Sequence, residues 1–287
     1  MYPASFDYFA PTTLDEALAL LEEYGEDAKV LAGGQSLIPL MKLRFASPLA
    51  LVDINGISEL SDLEEQDGAL QVGALVRHKE CERSELLRGR WATMGDAAPL
   101  ISDPIVRNLG TVGGSLAHAD PQGDWGSVML AMRAEIIVRG PSGTRTIPID
   151  GFFRGPFETA LEPAEILTGV RIPDPGARAG GTYLKLERKV GDFATVGVAV
   201  HVSFANGSVG RAGIALTGVG PKNLRAEAAE QALAGNALDD GAISEAARLA
   251  AEAAQARTDV RGTEAYKRNV VRVFVERGLR KAGEAAR

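Results

Sequence analysis

Cysteine is almost absent from this 287-residue chain, and Cys81 is the only one. A single thiol cannot form an intramolecular disulfide, and it cannot supply the cysteine ligands of an iron–sulfur cluster or an all-cysteine zinc site. Histidine is also scarce: His78, His118 and His201 are too far apart in sequence for local metal-ligand spacing. We therefore expect this chain to bind no metal of its own.

Long apolar runs and a surplus of basic residues are missing as well. No segment approaches the roughly 18 consecutive apolar residues of a membrane-spanning helix. Residues 1–7 lack the basic and then apolar pattern of a signal peptide. The formal net charge of -7 argues against nucleic acid, because phosphate binding needs a concentrated basic surface. These absences predict a cytoplasmic protein with no transmembrane segment and no nucleic-acid partner. Any contact with a membrane would be peripheral and made through a larger complex.

The short motifs of several enzyme classes are missing too. The sequence contains neither the G-x-G-x-x-G pattern of a Rossmann dinucleotide site nor the G-x-x-x-x-G-K-[ST] pattern of a P-loop. It also lacks the G-x-S-x-G nucleophile elbow. His118 stands two residues before Asp120, but no paired nucleophile accompanies them. We therefore assign no catalytic residue.

The composition otherwise suits a folded protein of several domains. Hydrophobic residues make up 45% and charged residues 24% of the chain, which is close to the average for globular proteins. A chain of this length fits two or three domains of ordinary size. We predict domains at residues 1–57, 58–176 and 177–287, with a linker rich in proline and glycine at 173–181.

The first predicted domain alternates helices and strands. Apolar residues at helical spacing run from Leu14 to Leu21, and Thr13 with Glu16 fits a capping box. Gly25 stands where this helix would end. A strand at 29–32, a helix at 37–45 and a strand at 49–54 are expected to follow.

The later segments predict more strands, with helices between and after them. We expect strands at 70–75, 135–139, 145–149 and 165–172, helices at 77–87, 91–101 and 125–133, and an ordered functional loop at 102–124. Beyond the linker we expect strands at 183–188, 195–205 and 208–216, then helices at 224–233, 242–256 and 263–279. The turn Asn206-Gly207 favours a hairpin between the last two strands. Strands followed by helices predict an α+β domain built on a three-stranded sheet.

A glycine pair follows the first buried strand. Gly33 and Gly34 lie between that strand and the helix that begins near Leu37. Without Cβ atoms the main chain can bend sharply and come close to a ligand. Successive N–H groups and the helix N-terminus would then favour an anion such as pyrophosphate. On this motif alone, an ordinary strand–helix turn is an equally good interpretation.

A second glycine pair, Gly113-Gly114, lies in a segment from Thr111 to Asp124. The hydroxyls of Thr111 and Ser115 flank it and can donate to phosphate or to a flavin carbonyl. Asp124 stands at the start of a predicted helix, where it would act either as an N-cap or as an acceptor for a ribose or ribityl hydroxyl. Two such turns suit a long, two-headed ligand, and we expect the amides of both pairs to converge on its diphosphate.

The two motifs resemble the flavin signatures of a known family. Ala32-Gly33-Gly34-Gln35-Ser36-Leu37 and Thr111-Val112-Gly113-Gly114-Ser115 are similar to those of the medium, FAD-binding subunit of the molybdenum hydroxylases, the xanthine dehydrogenase and aerobic carbon monoxide dehydrogenase family. The likeness covers nearly the whole chain, and the layout as a separate chain resembles the carbon monoxide dehydrogenase medium subunit most. Gln35 departs from the pattern, because carbon monoxide enzymes often carry His there. That departure weakens an inference about carbon monoxide as the substrate.

The resemblance implies an α+β fold and a set of FAD-binding residues. The fold would be a two-subdomain FAD-binding unit of the PCMH/vanillyl-alcohol-oxidase type, followed by the smaller C-terminal α+β domain. The first turn would wrap the pyrophosphate of non-covalently bound FAD, and the second would form the opposite wall. Ile101 would lie against the isoalloxazine ring, Asp124 would hold a sugar hydroxyl, Leu167 would lie on the adenine side, and Lys185 would approach from the third domain. The implied binding residues are Lys29, Val30, Leu31, Ala32, Gly33, Gly34, Gln35, Ser36, Leu37, Ile101, Thr111, Val112, Gly113, Gly114, Ser115, Asp124, Leu167 and Lys185.

The resemblance also implies partner subunits. A large subunit would hold molybdenum–pterin and a small subunit two [2Fe–2S] clusters, with the whole assembled as a dimer of heterotrimers. The FAD would take electrons from those clusters and pass them to a quinone, NAD or oxygen. Two alternatives stay open: a stand-alone flavin oxidase or reductase of the same fold, and a flavin-free scaffold subunit. His118 remains either a flavin neighbour or an inert loop residue.

Overall fold

A three-stranded parallel sheet forms the first part of the computed structural model, which describes residues 2–286. Its strands are β1 (Asp7–Phe9), β2 (Ala28–Leu31) and β3 (Ala50–Asp53), with β3 in the middle. Helix α1 (Leu14–Tyr24) lies between β1 and β2, and α2 (Leu37–Lys42) lies between β2 and β3. The predicted helix–strand–helix–strand order is confirmed, although α2 ends at Lys42 instead of residue 45.

Local sequence explains the position of α1. The Thr13 hydroxyl accepts a hydrogen bond from the Glu16 amide, and the Glu16 carboxylate accepts one from the Thr13 amide, both at 3.3 Å. The predicted capping box is therefore confirmed. Gly25 ends the helix with a φ of +53°, a conformation that favours glycine. Ala17, Leu18 and Leu21 bury the apolar face of α1 against the sheet, which fixes the strand that leads into the first glycine pair.

A five-stranded antiparallel sheet, in the order β4-β5-β10-β6-β7, forms the second part. Its strands are β4 (Leu63–Gln66), β5 (Ala69–Gly73), β6 (Glu135–Gly140), β7 (Gly143–Pro148) and β10 (Ile166–Ile172). A separate two-stranded ribbon consists of β8 (Phe153–Gly155) and β9 (Glu158–Thr159). The β6–β7 hairpin was predicted. The edge strand β4 was not, because its sequence Leu-Glu-Glu-Gln is mostly polar and its side chains are largely exposed.

Five helices lie between β5 and β6. They are α3 (His78–Arg83), α4 (Ala92–Ala97), α5 (Pro104–Leu109), α6 (Val112–His118) and α7 (Asp124–Met132). The prediction of a loop at 102–124 was wrong, because this segment contains both α5 and α6. Asp103 caps α5 by accepting a hydrogen bond from the Val106 amide at 2.9 Å, and Thr111 caps α6. Glycine disfavours helix interiors, so the glycine-rich sequence concealed α6.

A four-stranded antiparallel sheet begins the third part. It consists of β11 (Ala179–Leu186), β12 (Val196–Ala205), β13 (Ser208–Thr217) and β14 (Leu224–Arg225). The prediction of three strands therefore missed one, the two-residue strand β14, which pairs with Ala215 and Leu216 of β13. Helices α8 (Glu227–Leu233), α9 (Asp240–Ala253) and α10 (Glu264–Ala285) follow, so α8 begins three residues later than predicted.

The third sheet lies between two layers of helices. Val198, Val200 and Ile214 belong to a core that also contains buried residues of α8, α9 and α10. Tyr183, Ala199 and Ala215 point the other way and join the core of the second part, next to α4 and α7. This packing brings the end of β11, with Lys185, to helix α7.

Each sheet lies within one predicted domain. The boundaries at 57/58 and 176/177 fall between β3 and β4 and between β10 and β11. We propose residues 1–57, 58–176 and 177–287 as the domain limits, although the terminal residues 1 and 287 lie outside the described part of the chain. The predicted linker at 173–181 is shorter than expected, because β11 begins at Ala179.

Two general features of residues 2–286 bear on function. None of their helices combines the length and the apolar character needed to traverse a bilayer. The same residues contain no group of three or more His, Cys, Asp or Glu side chains arranged to hold a metal ion.

Candidate functional site

A cleft of about 830 Å³ opens where the three sheets approach one another. Its volume is within the range of small-molecule and cofactor sites, roughly 300–1,000 Å³. It is lined by residues of both glycine pairs, of the β9–β10 connection and of the β11–β12 loop. Every binding residue expected from the sequence lines it except Leu31 and Val112. Those two adjoin the glycine turns, and Val112 is fully buried in the core.

The first glycine pair presents free amides to the cleft. Among residues 2–286, the main-chain N–H groups of Gly33, Gly34, Gln35 and Ser36 donate to no protein acceptor. Gly34 has a φ of +69°, which turns the chain between β2 and α2. Consecutive amides in such a turn make a concave anion-binding surface, so these four donors fit a phosphate group. One N–H of the Gln35 side-chain amide donates to the Gly33 carbonyl at 3.0 Å, and its second N–H remains able to donate.

Gly33 has a different reason to be glycine. A Cβ atom there would collide with the main chain of Leu109 and Gly110. The missing side chain therefore allows the first turn to approach the second turn. This corrects the expectation that both glycines of the pair exist for the approach of a ligand.

The second glycine pair uses its amides within the protein. The N–H of Val112 donates to the Val76 carbonyl, and that of Gly113 to the Ala74 carbonyl, both at 3.0 Å. The Gly114 amide donates to the Thr111 hydroxyl at 3.1 Å. The expectation that the amides of Gly113 and Gly114 converge on a diphosphate was therefore wrong, because the Ala74 carbonyl and the Thr111 hydroxyl already accept hydrogen bonds from them.

Hydroxyl groups are what the second turn offers to a ligand. The Thr111 oxygen accepts from Gly114, and its own O–H remains able to donate. Ser115 is half-buried and lines the same cleft. Gly113 lies against Ala74, with which a Cβ atom would collide. The second turn thus forms a wall with two hydroxyls opposite the free amides of the first.

Asp124 and Lys185 form a buried ion pair at the cleft. The Lys185 ammonium is 3.0 Å from one Asp124 carboxylate oxygen, and the Tyr183 hydroxyl donates to the other at 2.6 Å. Burial raises the pKa of Asp124, while Lys185 and Tyr183 oppose that rise. The N-cap interpretation of Asp124 was wrong, since Gly123 is the N-cap and Asp124 is the first residue of α7. Carboxylate oxygens have two lone pairs each, so Asp124 can still accept from a ligand hydroxyl.

Apolar side chains line two parts of the cleft beside charged ones. Ile101, which is only 9% exposed, lines one end together with Gly191 and Phe193 of the β11–β12 loop. Leu167 lines another part of the wall together with Leu161 and nearby residues of the β9–β10 connection. Sequence reasoning missed Phe193 and Leu161 as lining residues. Neither residue lies in a glycine motif, so no local sequence signal indicated them.

The two histidines of the cleft do not form a catalytic group. Burial lowers the pKa of His78 to about 4, and its Nδ1 accepts a hydrogen bond from the Trp125 indole at 3.0 Å. His118 lies against Phe157, with ring centroids 5.1 Å apart, and burial lowers its pKa as well. Asp120 accepts from the Gln122 amide at 2.9 Å. Both imidazoles are therefore neutral near pH 7, and His118 is a lining residue.

The arrangement fits FAD. Four free amides can hold a diphosphate, the two hydroxyls face the same space, and apolar side chains line the regions where a ring system and an adenine would lie. Backbone amides and helix termini are the groups that proteins use for pyrophosphate. No cysteine lines the cleft within residues 2–286, and Cys81 is buried, with its pKa raised to about 12 by burial.

Comparison with known proteins gives the same result over the whole chain. Residues 4–175 match the FAD binding domain in molybdopterin dehydrogenase, and residues 181–282 match the CO dehydrogenase flavoprotein C-terminal domain. The chain is 41% identical to the carbon monoxide dehydrogenase medium chain of Hydrogenophaga pseudoflava, covering 98% of both chains. It is 35% identical to subunit alpha of the 6-hydroxypseudooxynicotine dehydrogenase complex of Paenarthrobacter nicotinovorans, covering 100% of this chain and 97% of that one.

A solved structure supports the assignment. The chain superposes on carbon monoxide dehydrogenase from Hydrogenophaga pseudoflava with a TM-score of 0.95 and 44% identity, covering 99% of each chain. The fold, the cleft and the two matched domains agree with one another, and this chain belongs to the family of FAD-binding medium subunits of the molybdopterin dehydrogenases.

Proposed function

We propose that this chain carries the FAD of a heteromeric molybdenum hydroxylase of the carbon monoxide dehydrogenase type. The observation that supports this most is the row of free amides at Gly33 to Ser36, facing the hydroxyls of Thr111 and Ser115 across one cleft. When bound, FAD would supply the step from single-electron carriers to a two-electron acceptor, because that redox chemistry belongs to the flavin.

The residues of the chain would bind and orient the cofactor. The amides of the first turn hold the diphosphate, and Lys29 to Leu37 wrap around it. The Thr111 and Ser115 hydroxyls donate from the opposite wall, and Asp124 accepts from a sugar hydroxyl. Ile101 and Phe193 would pack against the isoalloxazine ring and exclude water from it, and Leu167 would pack against the adenine; all three residues line the cleft. Lys185 brings a positive charge from the third domain.

The other redox centres would lie on partner subunits. One cysteine cannot hold a [2Fe–2S] cluster, so we infer a small iron–sulfur subunit and a large molybdenum–pterin subunit. We propose a dimer of heterotrimers in the cytoplasm as the assembly. The substrate would bind the large subunit, and both carbon monoxide and N-heterocyclic compounds fit the names of the relatives. A quinone, NAD or oxygen would be the final acceptor.

Flavin absorbance tests the proposal directly. We expect the full chain, purified with its partner subunits and also alone, to show the absorption bands of oxidised flavin, and acid denaturation to release free FAD. Covalently retained flavin would favour a stand-alone oxidase instead. A colourless protein that takes up no added FAD in either preparation would support a flavin-free scaffold subunit and contradict the proposal.

A further inference from the structure

Three ionisable side chains form a cluster beside the cleft, in which Lys185 and Asp124 are buried and the Glu187 side chain is 19% exposed. Lys185 is at its centre, with a side chain only 1% exposed. Its ammonium lies 3.0 Å from Asp124 and 3.6 Å from the Glu187 carboxylate. With all three groups ionised, one positive charge faces two negative charges, so the cluster carries a net charge of about one negative unit in a poorly solvated place.

The two carboxylates are held differently. Both oxygens of Asp124 accept hydrogen bonds, one from Tyr183 and one from Lys185. The Oε2 atom of Glu187 is shielded from solvent and accepts no hydrogen bond from any group among residues 2–286. A buried carboxylate oxygen without a donor stabilises its negative charge poorly. Glu187 is therefore the member of the cluster whose charge is least supported.

Arg188 and Asp192 of this loop are paired, and Lys189 is exposed to solvent without forming an ion pair with Glu187. Arg188 lies 3.0 Å from Asp192, and Arg261 of the C-terminal part lies 3.0 Å from the other oxygen of Asp192. These two arginines hold the pKa of Asp192 well below its usual range. Among residues 2–286, Glu187 is left with Lys185 as its only cationic partner, and its charge also raises the pKa of Asp124.

The cluster touches the end of the cleft assigned to the isoalloxazine ring. Lys185 donates to the Leu100 carbonyl at 2.8 Å, directly before Ile101. Ile101, Lys185 and Phe193 all line that end. Since charges interact strongly where solvent is excluded, the net charge of the cluster acts on any charge that develops in this part of the cleft.

We propose that Glu187 is a positioning residue that acts through Lys185 to set the redox potential of the bound flavin. This inference rests on the proposed function. With Glu187 ionised, the cluster is net negative and opposes the negative charge of reduction. With an uncharged glutamine at position 187, the cluster is neutral and reduction becomes more favourable.

The charge balance requires no covalent step. In the test the electrons come from dithionite, and in the complex they come from the iron–sulfur partner. No bond to the cofactor forms or breaks at Glu187.

Redox titration of the FAD-loaded protein at several pH values tests the proposal. We expect Glu187→Gln to favour reduction by tenfold or more, which is an upward shift of about 30 mV for a two-electron couple. Glu64→Gln makes the same chemical change at an exposed position of β4 and should shift nothing.

The outcomes separate this inference from the proposed function. If Glu187→Gln keeps FAD and follows the wild-type potential at every pH, the inference is overturned and FAD binding stands. If Glu187→Gln loses FAD, Glu187→Asp replaces it, and moving the carboxylate away from Lys185 should raise the potential by a smaller amount. An unchanged potential in that variant also overturns the inference. A wild-type chain without FAD would contradict the proposed function itself.

Discussion

Gly33-Gly34 lie between strand β2 and helix α2, whereas Gly113-Gly114 lie in the first turn of α6, and the main-chain amides of the two pairs have different partners. The amides from Gly33 to Ser36 are free and face the cleft, whereas those of Val112 and Gly113 donate to carbonyls of residues 74 and 76. The two turns also touch each other, because Gly33 lies against Leu109 and Gly110. One turn is thus the proposed anion-binding surface, and the other is the wall that supports it. Similar glycine motifs in one chain need not bind the same ligand group.

Bulky substitutions at the contact between the turns should have the largest effect. In Gly33→Val the new side chain would collide with the main chain of Leu109, which cannot rotate away. We expect a loss of at least about 3 kcal/mol in the free energy of unfolding, together with loss of FAD. Urea denaturation and flavin absorbance would measure both.

A matched valine substitution controls for the change in residue type. A Cβ atom added at Gly151 would meet no other atom within 4 Å, and this glycine lies in an exposed turn. Gly151→Val should keep both stability and FAD. If Gly33→Val unfolds at the same urea concentration as Gly151→Val, the two turns do not depend on the contact at Gly33.

The sequence predicted the features that local chemistry determines. The capping box of α1 needs only Thr13 and Glu16, and the β6–β7 hairpin needs only the turn Gly140-Pro141-Ser142-Gly143 between two short strands. Both were therefore visible in the sequence. Family resemblance supplied the candidate binding residues, since their roles cannot be obtained from spacing alone.

Long-range pairing decided the features that the sequence did not reveal. The amides of the second turn are occupied because Ala74 and Val76, nearly forty residues earlier, run beside them. Phe193 reaches the cleft because Asp192 is tied to Arg261, which lies 69 residues away. Neither partner could be identified from a local pattern. The pairing of Lys185 with Asp124 was missed for the same reason, because the two residues are far apart in the sequence.

Acidification should weaken the support of the second turn. The His78 amide donates to the Gly110 carbonyl at 3.0 Å, and its buried ring has a pKa of about 4, below the ordinary 6.5. The unfolded chain therefore binds more protons than the folded protein between these values, so stability falls as the pH drops from 6.5 to 4. The loss from this group should be about 3 kcal/mol.

Urea denaturation between pH 7 and pH 4 measures this dependence. His78→Gln keeps an acceptor for the Trp125 indole but has no titrating ring, so its stability should fall less steeply. His201, whose pKa burial lowers to about 3, contributes a residual slope in both proteins. Parallel curves for His78→Gln and wild type would show that His78 is not the group responsible.

A smaller effect is expected from the backbone of the first turn. Gly34 has a φ of +69°, and alanine in that region is disfavoured by about 1–2 kcal/mol. In Gly34→Ala the turn should relax and misalign its amides, so we expect FAD affinity to fall about tenfold, or about 1.4 kcal/mol.

Gly207→Ala, at a φ of +84° in an open hairpin turn, carries a similar backbone strain away from the cleft. Fluorescence titration should show normal FAD affinity for Gly207→Ala, and equal losses in both variants would contradict the assignment of the first turn.

The smallest effect should separate binding from support within the second turn. Thr111 caps α6, so Thr111→Val should lower the free energy of unfolding by about 1 kcal/mol and also weaken FAD binding. Ser115 lines the cleft without serving as the cap, so Ser115→Ala should leave stability unchanged and weaken FAD binding about two- to tenfold, the range of one hydrogen bond. Titration of FAD beside urea denaturation of the same samples measures both quantities. If Ser115→Ala instead lowers stability and leaves affinity intact, the second turn supports the cleft without contacting the cofactor through this hydroxyl.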